Sequence, residues 1–424
     1  MAGGGVRPAP LAALEAAWAG GRLAALAAPQ EREALDAALG PAGLERLAER
    51  WGAGVVVGSG GSSGGRRWCL QPRAHLEASA AATAGWVRAI GLDPAACLHL
   101  NPLPAHHVSG LMPWLRARQW GGTHRLIPPE WMRQPGELAA RLPLTRPGSL
   151  QAAPALLSLV PTQLGRVMAD PAGLDWLRRL AVIWVGGAPL PSALAARARG
   201  AGLRLSPCYG TTETAAMVTA LRPERFLAGV EGCGPALPGV ELRLAPGSGA
   251  LEVRCGRLSP GVVRDGALRP LPGLNQGWWG SGDGGSLGAE GLRVLGRIDG
   301  ALHSGGETVF PEQIEARIRE LAAERDWPLQ EVLLLGRPHP DWGERLVALV
   351  RPAPGGDAAA LCRQLASVAG SWVPAERPAR WLCCPGLEPT PLGKWERGRW
   401  QRWLRSLEAG DHPNDGTAAD VHPE

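Results

Sequence analysis

Val55-Val56-Val57-Gly58-Ser59-Gly60-Gly61-Ser62-Ser63-Gly64-Gly65-Arg66-Arg67 runs from three β-branched residues into glycines and serines and ends on two cations. Gly54 to Val57 reads as a buried strand, and the strand delivers a loop whose composition suits phosphate. Glycines let consecutive N–H groups converge on an anion, hydroxyls add donors and a guanidinium neutralises charge. The loop is not a Walker loop, because GxxxxGK[ST] is absent, and by itself a flexible surface turn explains it equally well.

A second strand repeats the arrangement. Leu180 to Val185 is apolar, runs into Gly186 and Gly187, and is followed by a helical pattern over Leu190 to Arg199. Buried strands alternating with helices and punctuated by Gly and Pro indicate an α/β fold. From about Gly239 to Leu295 the texture changes to short strands, such as Val240 to Leu244 and Leu251 to Arg254, which suggests a small β-rich subdomain. A further compact unit follows, with a helix opened by Pro311 that carries Ile314, Ile318 and Leu321 on one face, then strands at Val332 to Leu335 and Leu346 to Val350. The expected architecture is a large α/β N-terminal domain over 1–298, with its β-rich subdomain, a smaller mobile α+β domain over 299–409, and a disordered polar tail over 410–424.

Composition bounds the function. The 424 residues can bury a sizeable core and fit two or three domains, and no apolar stretch approaches the roughly 18 residues of a membrane span. Leu11 to Ala28 resembles a secretory leader until Glu15 and the helical spacing of its apolar residues are noticed. The eight cysteines form no CxxC and have no histidine at metal spacing, which fits a reducing cytoplasm. A net charge of +5 is too dilute for nucleic acid but suits polyanionic small molecules. Lys394 is the only lysine among 44 basic residues. Genomic drift towards arginine and retention of one needed lysine explain this equally well.

With 59 glycines, generic patterns arise by accident. GxSxG occurs at Gly60–Gly64 and at Gly284–Gly288, neither followed by an obvious helix, and GxGxxG at Gly280–Gly285 has no strand–helix bracket. More informative is an ordered series. Tyr209-Gly210-Thr211-Thr212-Glu213-Thr214 sets the only tyrosine beside hydroxyls and a carboxylate: an aromatic face for a purine, donors for phosphate and an oxygen ligand for Mg²⁺. Gly277-Trp278-Trp279-Gly280-Ser281-Gly282-Asp283 places an acid after a tight turn, suited to two ribose hydroxyls. Gly296-Arg297-Ile298-Asp299-Gly300, Ser304-Gly305-Gly306-Glu307 and Pro391-Leu392-Gly393-Lys394 complete the series.

Taken in order from Ser59 to Lys394, these segments resemble the acyl-adenylate-forming superfamily of acyl-CoA synthetases, carrier-protein adenylation domains and luciferases. The resemblance covers most of the chain. It implies a phosphate loop at Ser59, Gly60, Ser62, Ser63, Gly64 and Arg67, where Arg67 stands in place of the family's usual lysine. It implies an adenine-side wall at Gly186, Gly187, Ala188 and Pro189, a purine stack on Tyr209 with Gly210 and Thr211 beside it, a phosphate contact at Thr212 and a Mg²⁺ ligand at Glu213. Asp283 and Arg297 match the ribose clamps, Asp299 the interdomain hinge, Ser304, Gly305 and Gly306 the acceptor passage, and Lys394 the catalytic lysine.

Leu103-Pro104-Ala105-His106-His107-Val108-Ser109-Gly110-Leu111 resembles the acyl-pocket segment of o-succinylbenzoate–CoA ligases of menaquinone and phylloquinone synthesis, with His107 and Ser109 on the acid. A satisfied histidine pair in a loop is the plainer reading. Only about 58 residues precede the phosphate loop, so the first subdomain is expected to be trimmed and its sheet incomplete. The activity implied is ATP- and Mg²⁺-dependent activation of a small carboxylic acid and its transfer to coenzyme A, without nucleic acid or membrane partners. A stand-alone enzyme loading another acid onto CoA or a carrier protein is the alternative, a silent nucleotide-binding relative is a third, and self-association is left open.

Overall fold

The structure is a computed structural model that describes residues 9–59, 67–144, 153–246, 248–305, 307–389, 395–409 and 420–421. The calls at Gly60, Ser62, Ser63, Gly64, Gly306 and Lys394 therefore lie outside the described residues.

Nine strands form first: β1 (Leu23–Leu26), β2 (Gly54–Ser59), β3 (Arg67–Pro72), β4 (Leu98–Asn101), β5 (Thr123–Leu126), β6 (Ala155–Leu159), β7 (Val182–Val185), β8 (Leu205–Thr211) and β9 (Ala216–Ala220). Seven follow: β10 (Val240–Leu244), β11 (Ala250–Cys255), β12 (Val262–Arg264), β13 (Ala267–Arg269), β14 (Leu274–Asn275), β15 (Trp278–Gly288) and β16 (Gly291–Arg297). The last are β17 (Leu302–Ser304), β18 (Glu307–Val309), β19 (Leu329–His339), β20 (Gly343–Pro352), β21 (Arg380–Cys383) and β22 (Asp420–Val421).

The chain divides into two compact units, one of residues 1–281 and 285–294, the other of 282–284 and 295–424. In the first, one sheet has the order β5-β4-β6-β7-β8-β9, parallel from β5 to β8 and closed by antiparallel β9. Val182, Ile183, Trp184 and Val185 are all buried, as a parallel strand covered on both faces requires. Fully burying a side chain of that kind contributes about 1.5–3 kcal/mol, so the apolar run fixes β7 in the sheet centre. The following helix begins at Ser192, later than the helical pattern at Leu190, because Pro191 takes an extended conformation at its cap.

A second sheet of this unit has five strands among the described residues. Its order is β1-β2-β3-β12-β13, and the last two strands come from a hairpin far along the chain. Leu11, Leu14 and Trp18 are buried on the helix Ala9–Ala19, so the leader-like segment is part of this core. The β-rich subdomain has the order β10-β11-β15-β14 with β16 on β15. Gly280 to Gly285 lies inside β15, which removes a dinucleotide-type turn there.

The second unit has a sheet of order β18-β17-β20-β21-β22 with β19 on β20. The helix Pro311–Glu324 buries Ile314 and Ile318 against it, with Leu321 partly buried. Asp420 and Val421 pair with Leu382 and Trp381, so the tail contributes one short strand where a structureless segment was expected. Backbone pairing to an open sheet edge explains this where side-chain periodicity gave no sign of it. Among the described residues, no helix is long and apolar enough to cross a membrane.

Candidate active site

In a parallel sheet the ligand crevice lies beyond the carboxyl ends of the strands. His107 follows β4, Gly186 and Gly187 follow β7, and Tyr209 to Thr212 close β8. The Gly186 N–H donates to Leu159 at 3.2 Å, which holds the β7 exit against the end of β6. Gly187, Ala188 and Pro189 are exposed, and Tyr209 is half-buried against a cluster that contains Trp184.

The turn from β8 to β9 is strained and tightly held. Ala215 and Ala216 adopt positive φ, 53° and 77°, and such conformations cost about 1–3 kcal/mol each and persist where their surroundings over-determine them. Thr214 supplies much of that determination. Its hydroxyl accepts from the Thr211 N–H at 3.0 Å and lies 2.7 Å from the Ala216 carbonyl, to which it donates. A Cβ at Gly210 would stand 2.1 Å from that carbonyl oxygen, so only glycine fits.

Glu213 is 7% exposed, and its main chain is pinned from two sides. Its carbonyl accepts from the Ser259 N–H at 2.7 Å and from Gln71 Nε2 at 3.3 Å, and Gln71 Nε2 also donates to Thr212 O at 2.7 Å. Ser259 Oγ donates in turn to Leu70 O at 2.8 Å. Thr212 Oγ1 donates to Gly58 O at 3.4 Å, which brings this turn to the end of β2, where Ser59 and Arg67 face each other across β2 and β3. Burial and the neighbouring Glu213 carboxylate push the Cys69 thiol up. Among the described residues no basic side chain pairs with Glu213 and no group of three or more potential ligands gathers. One buried carboxylate, with no second protein ligand beside it among the described residues, fits a Mg²⁺ ion that takes its remaining ligands from substrate and water.

At the β4 exit, His107 occupies the N-cap position of the helix Val108–Trp120 without a capping bond from its side chain, and its ring lies 4.6 Å from that of His106. Asn101 sets the loop, donating from Nδ2 to Gly110 O at 2.7 Å and accepting the Leu103 N–H at 3.1 Å. Ser109 is exposed. Further along the same helix, Arg116 is 4% exposed, lies 5.0 Å over the Trp184 ring, and has no carboxylate partner among the described residues. Burial holds its guanidinium down at about 10, and Arg257 adds repulsion. Arg257 is equally buried, bonded through Nη2 to Met217 O at 3.1 Å, and likewise lacks an acid among the described residues.

Within the second unit, Asp283 Oδ1 and Arg297 Nη1 are 3.5 Å apart. Asp299 lies in the short 3₁₀ turn Ile298–Gly300. Ser304 is fully buried in β17, and the main chain at Gly305 donates to Trp342 O at 3.0 Å. Sequence reasoning missed Gln71, Asn101, Ser259, Arg116 and Arg257. The available signal was a polar residue within an apolar run, as in Trp68-Cys69-Leu70-Gln71 and Leu98-His99-Leu100-Asn101.

Residues 72–257 match the family model described as AMP-binding enzyme. The chain is 30% identical over 350 residues to a probable 2-succinylbenzoate–CoA ligase of Mycobacterium tuberculosis, an alignment covering 80% of each protein. This chain belongs to the AMP-binding enzyme family. A second relative of this AMP-binding enzyme is the 2-succinylbenzoate–CoA ligase of Salmonella typhimurium, 31% identical over 248 residues, or 58% of this chain and 50% of that one. The chain thus spans half the length of that relative. Its fold resembles the o-succinylbenzoate CoA synthetase of Bacillus subtilis in complex with the acyl-adenylate intermediate OSB-AMP, with TM-score 0.67, 21% identity, and coverage of 82% and 68%. It also resembles the E. coli enzyme with a bound phenylether-linked analogue of OSB-AMS, with TM-score 0.59, 25% identity, and coverage of 83% and 69%.

Proposed function

We propose that this AMP-binding enzyme is a 2-succinylbenzoate–CoA ligase, which activates its acid with ATP as an acyl adenylate and passes the acyl group to coenzyme A. The observation that carries the choice of a diacid is Arg116. A guanidinium buried on the helix that starts at His107, with no acid among the described residues, is costly unless an anion joins it. The second carboxylate of the substrate is such an anion, and Arg257 adds positive potential near it. A monocarboxylic acid would leave both cations uncompensated.

A carboxylate attacking the α-phosphate approaches another anion, so the barrier falls only where donors and cations surround the developing charge. In this reading Ser59 and Arg67 frame the phosphate loop, Thr212 donates to phosphate, and Glu213 orients the metal through an oxygen. Mg²⁺, when bound, would neutralise charge on the departing phosphates. Tyr209 stacks on the purine between Gly186–Pro189 and its own strand, and Asp283 with Arg297 holds the ribose. Lys394 supplies a cation during adenylation, and the unit beyond Asp299 acts as a lid that excludes water from the activated anhydride. Gly305, exposed and backed by the Trp342 ring, gives passage to the thiol arm.

Pyrophosphate exchange across a panel of acids tests this. We expect o-succinylbenzoate to outperform benzoate and medium-chain fatty acids, and Arg116→Met to abolish that preference. Equal exchange with a fatty acid would remove the assignment, and transfer to a carrier protein but not to CoA would favour a stand-alone adenylation enzyme.

A further inference from the structure

Arg397 opens the helix Arg397–Ala409, three residues after Lys394 in the sequence, and it meets two carboxylates at once. Its Nη2 lies 2.9 Å from Glu315 Oε1 and 3.1 Å from Glu312 Oε1, while Nη1 donates to Leu334 O at 2.7 Å. Glu315 is 2% exposed and accepts the Leu334 N–H at 2.9 Å. Burial raises its carboxyl pKa, and Arg397 opposes that shift.

Glu312 also reaches the other way. Its Oε2 occupies the space beside Gly296, where a Cβ would lie 2.7 Å away, and Gly296 has φ +147°. The next residue, Gln313, donates from Nε2 to Leu295 O at 3.2 Å. One guanidinium thus ties the root of the helix Arg397–Ala409 to β19 and to the helix Pro311–Glu324, which packs Glu312 against Gly296 and bonds Leu295 O through Gln313. A buried ion pair stabilises little compared with apolar residues of the same shape, and its distinctive contribution is directional. Methionine could fill the volume, but it could not fix the angle at which the chain enters the helix.

We propose that Arg397 is a positioning residue for adenylation: its two-carboxylate cradle fixes the point from which Lys394 is presented, in register with the Gly296–Gly300 segment. The inference rests on the role assigned to Lys394 above. Three residues of backbone span at most about 11 Å, so the anchor limits how far the Lys394 main chain can lie from Arg397. Neither carboxylate touches substrate in this scheme, and thiol transfer, which does not use Lys394, is indifferent to the cradle.

Full-length Arg397→Met, Arg397→Lys and Glu312→Gln would be assayed for pyrophosphate exchange and, separately, for thioester formation from supplied acyl adenylate, with thermal midpoints measured alongside. Arg397→Met is expected to slow exchange by about 10- to 100-fold while thioester formation stays within about twofold, with partial rescue in Arg397→Lys. Should Arg397→Met not fold, Glu312→Gln keeps the shape and removes one charge, and a loss confined to exchange supports the proposal. Equal losses in both half-reactions, or full exchange in a folded Arg397→Met, overturn it. Lys394→Ala run in parallel separates the two layers. If that variant keeps full exchange, the lysine reading falls and takes this proposal with it; if it loses exchange while Arg397→Met does not, only the positioning role falls.

Discussion

Gln71 spans from β3 to the turn after β8 and donates one amide nitrogen to the carbonyls of both Thr212 and Glu213, at 2.7 and 3.3 Å. The side chain is fully buried, so these two carbonyls have no water to replace it. Gln71→Leu keeps the volume, takes the amide bond from the Thr212 carbonyl and leaves the Glu213 carbonyl with the Ser259 N–H alone, and it should cost about 1–3 kcal/mol of stability. It should also raise the Mg²⁺ concentration required for half-maximal exchange, because Glu213 loses one of its two main-chain anchors. Denaturant melts and a Mg²⁺ titration check the two effects separately, and an unchanged titration would mean that Ser259 alone suffices.

Gly210→Ala tests the strained turn. The added methyl cannot coexist with the Ala216 carbonyl, so the β8–β9 hairpin must shift. We expect ATP binding to weaken by about tenfold or more, with a clear loss of thermal midpoint. Wild-type affinity would show that the turn tolerates another path.

His107→Ala should raise the KM for the acid by about tenfold and leave the KM for ATP within about twofold, because His107 sits at the N-cap position at the β4 exit with no capping bond from its side chain. A change confined to ATP would place this histidine on the other side of the crevice.

Lys394→Ala should slow adenylate formation by about 10²-fold or more, the scale of deleting one preorganised electrostatic donor, while thioester formation from supplied adenylate persists. Unimpaired exchange would sink the catalytic role of this residue.

Two histidines make stability depend on pH. Burial holds His99 at about 3, with Arg116 adding repulsion, and holds His124 at about 4, against an ordinary value of 6.5. Above pH 6.5 both are neutral in folded and unfolded chains. Below it the unfolded chain binds protons that the folded one refuses, so stability falls as pH drops from about 6.5 towards 4, by up to about 2.7 kcal/mol per unit for two protons. Urea unfolding at pH 7.5, 6 and 5 measures the slope, and replacing both residues by Gln should reduce it, leaving the part due to His75, which burial also holds down.

The sequence disclosed the parts of the site that use unusual local chemistry. Tyr209 to Thr214, the glycines after β7 and the Pro311 helix were legible because a glycine, a lone tyrosine or an apolar period marks each within a few residues. Gln71 was not, since its partners lie some 140 positions away and its own neighbours only say that it is buried. Arg116 was hidden among so many arginines that only burial without an acid singles it out. The pairing of β12 and β13 with β3 was not legible either, because the hairpin lies almost 200 positions further along the chain.

The pairing of Cys69 with Val262 bears on how the molecule is made. While the chain leaves the ribosome, β3 exists for some time with one flank bare, and the residues that will cover it are still unsynthesised. At about 5–20 residues per second the delay is roughly 10–40 s. Through that interval Trp68, Cys69, Leu70 and their β2 neighbours form an apolar, unguarded edge of the kind that invites pairing with another nascent chain. Slowed translation between codons 72 and 262 should therefore lower soluble yield more than the same slowing after codon 270, and a holdase that binds extended apolar strands should restore it.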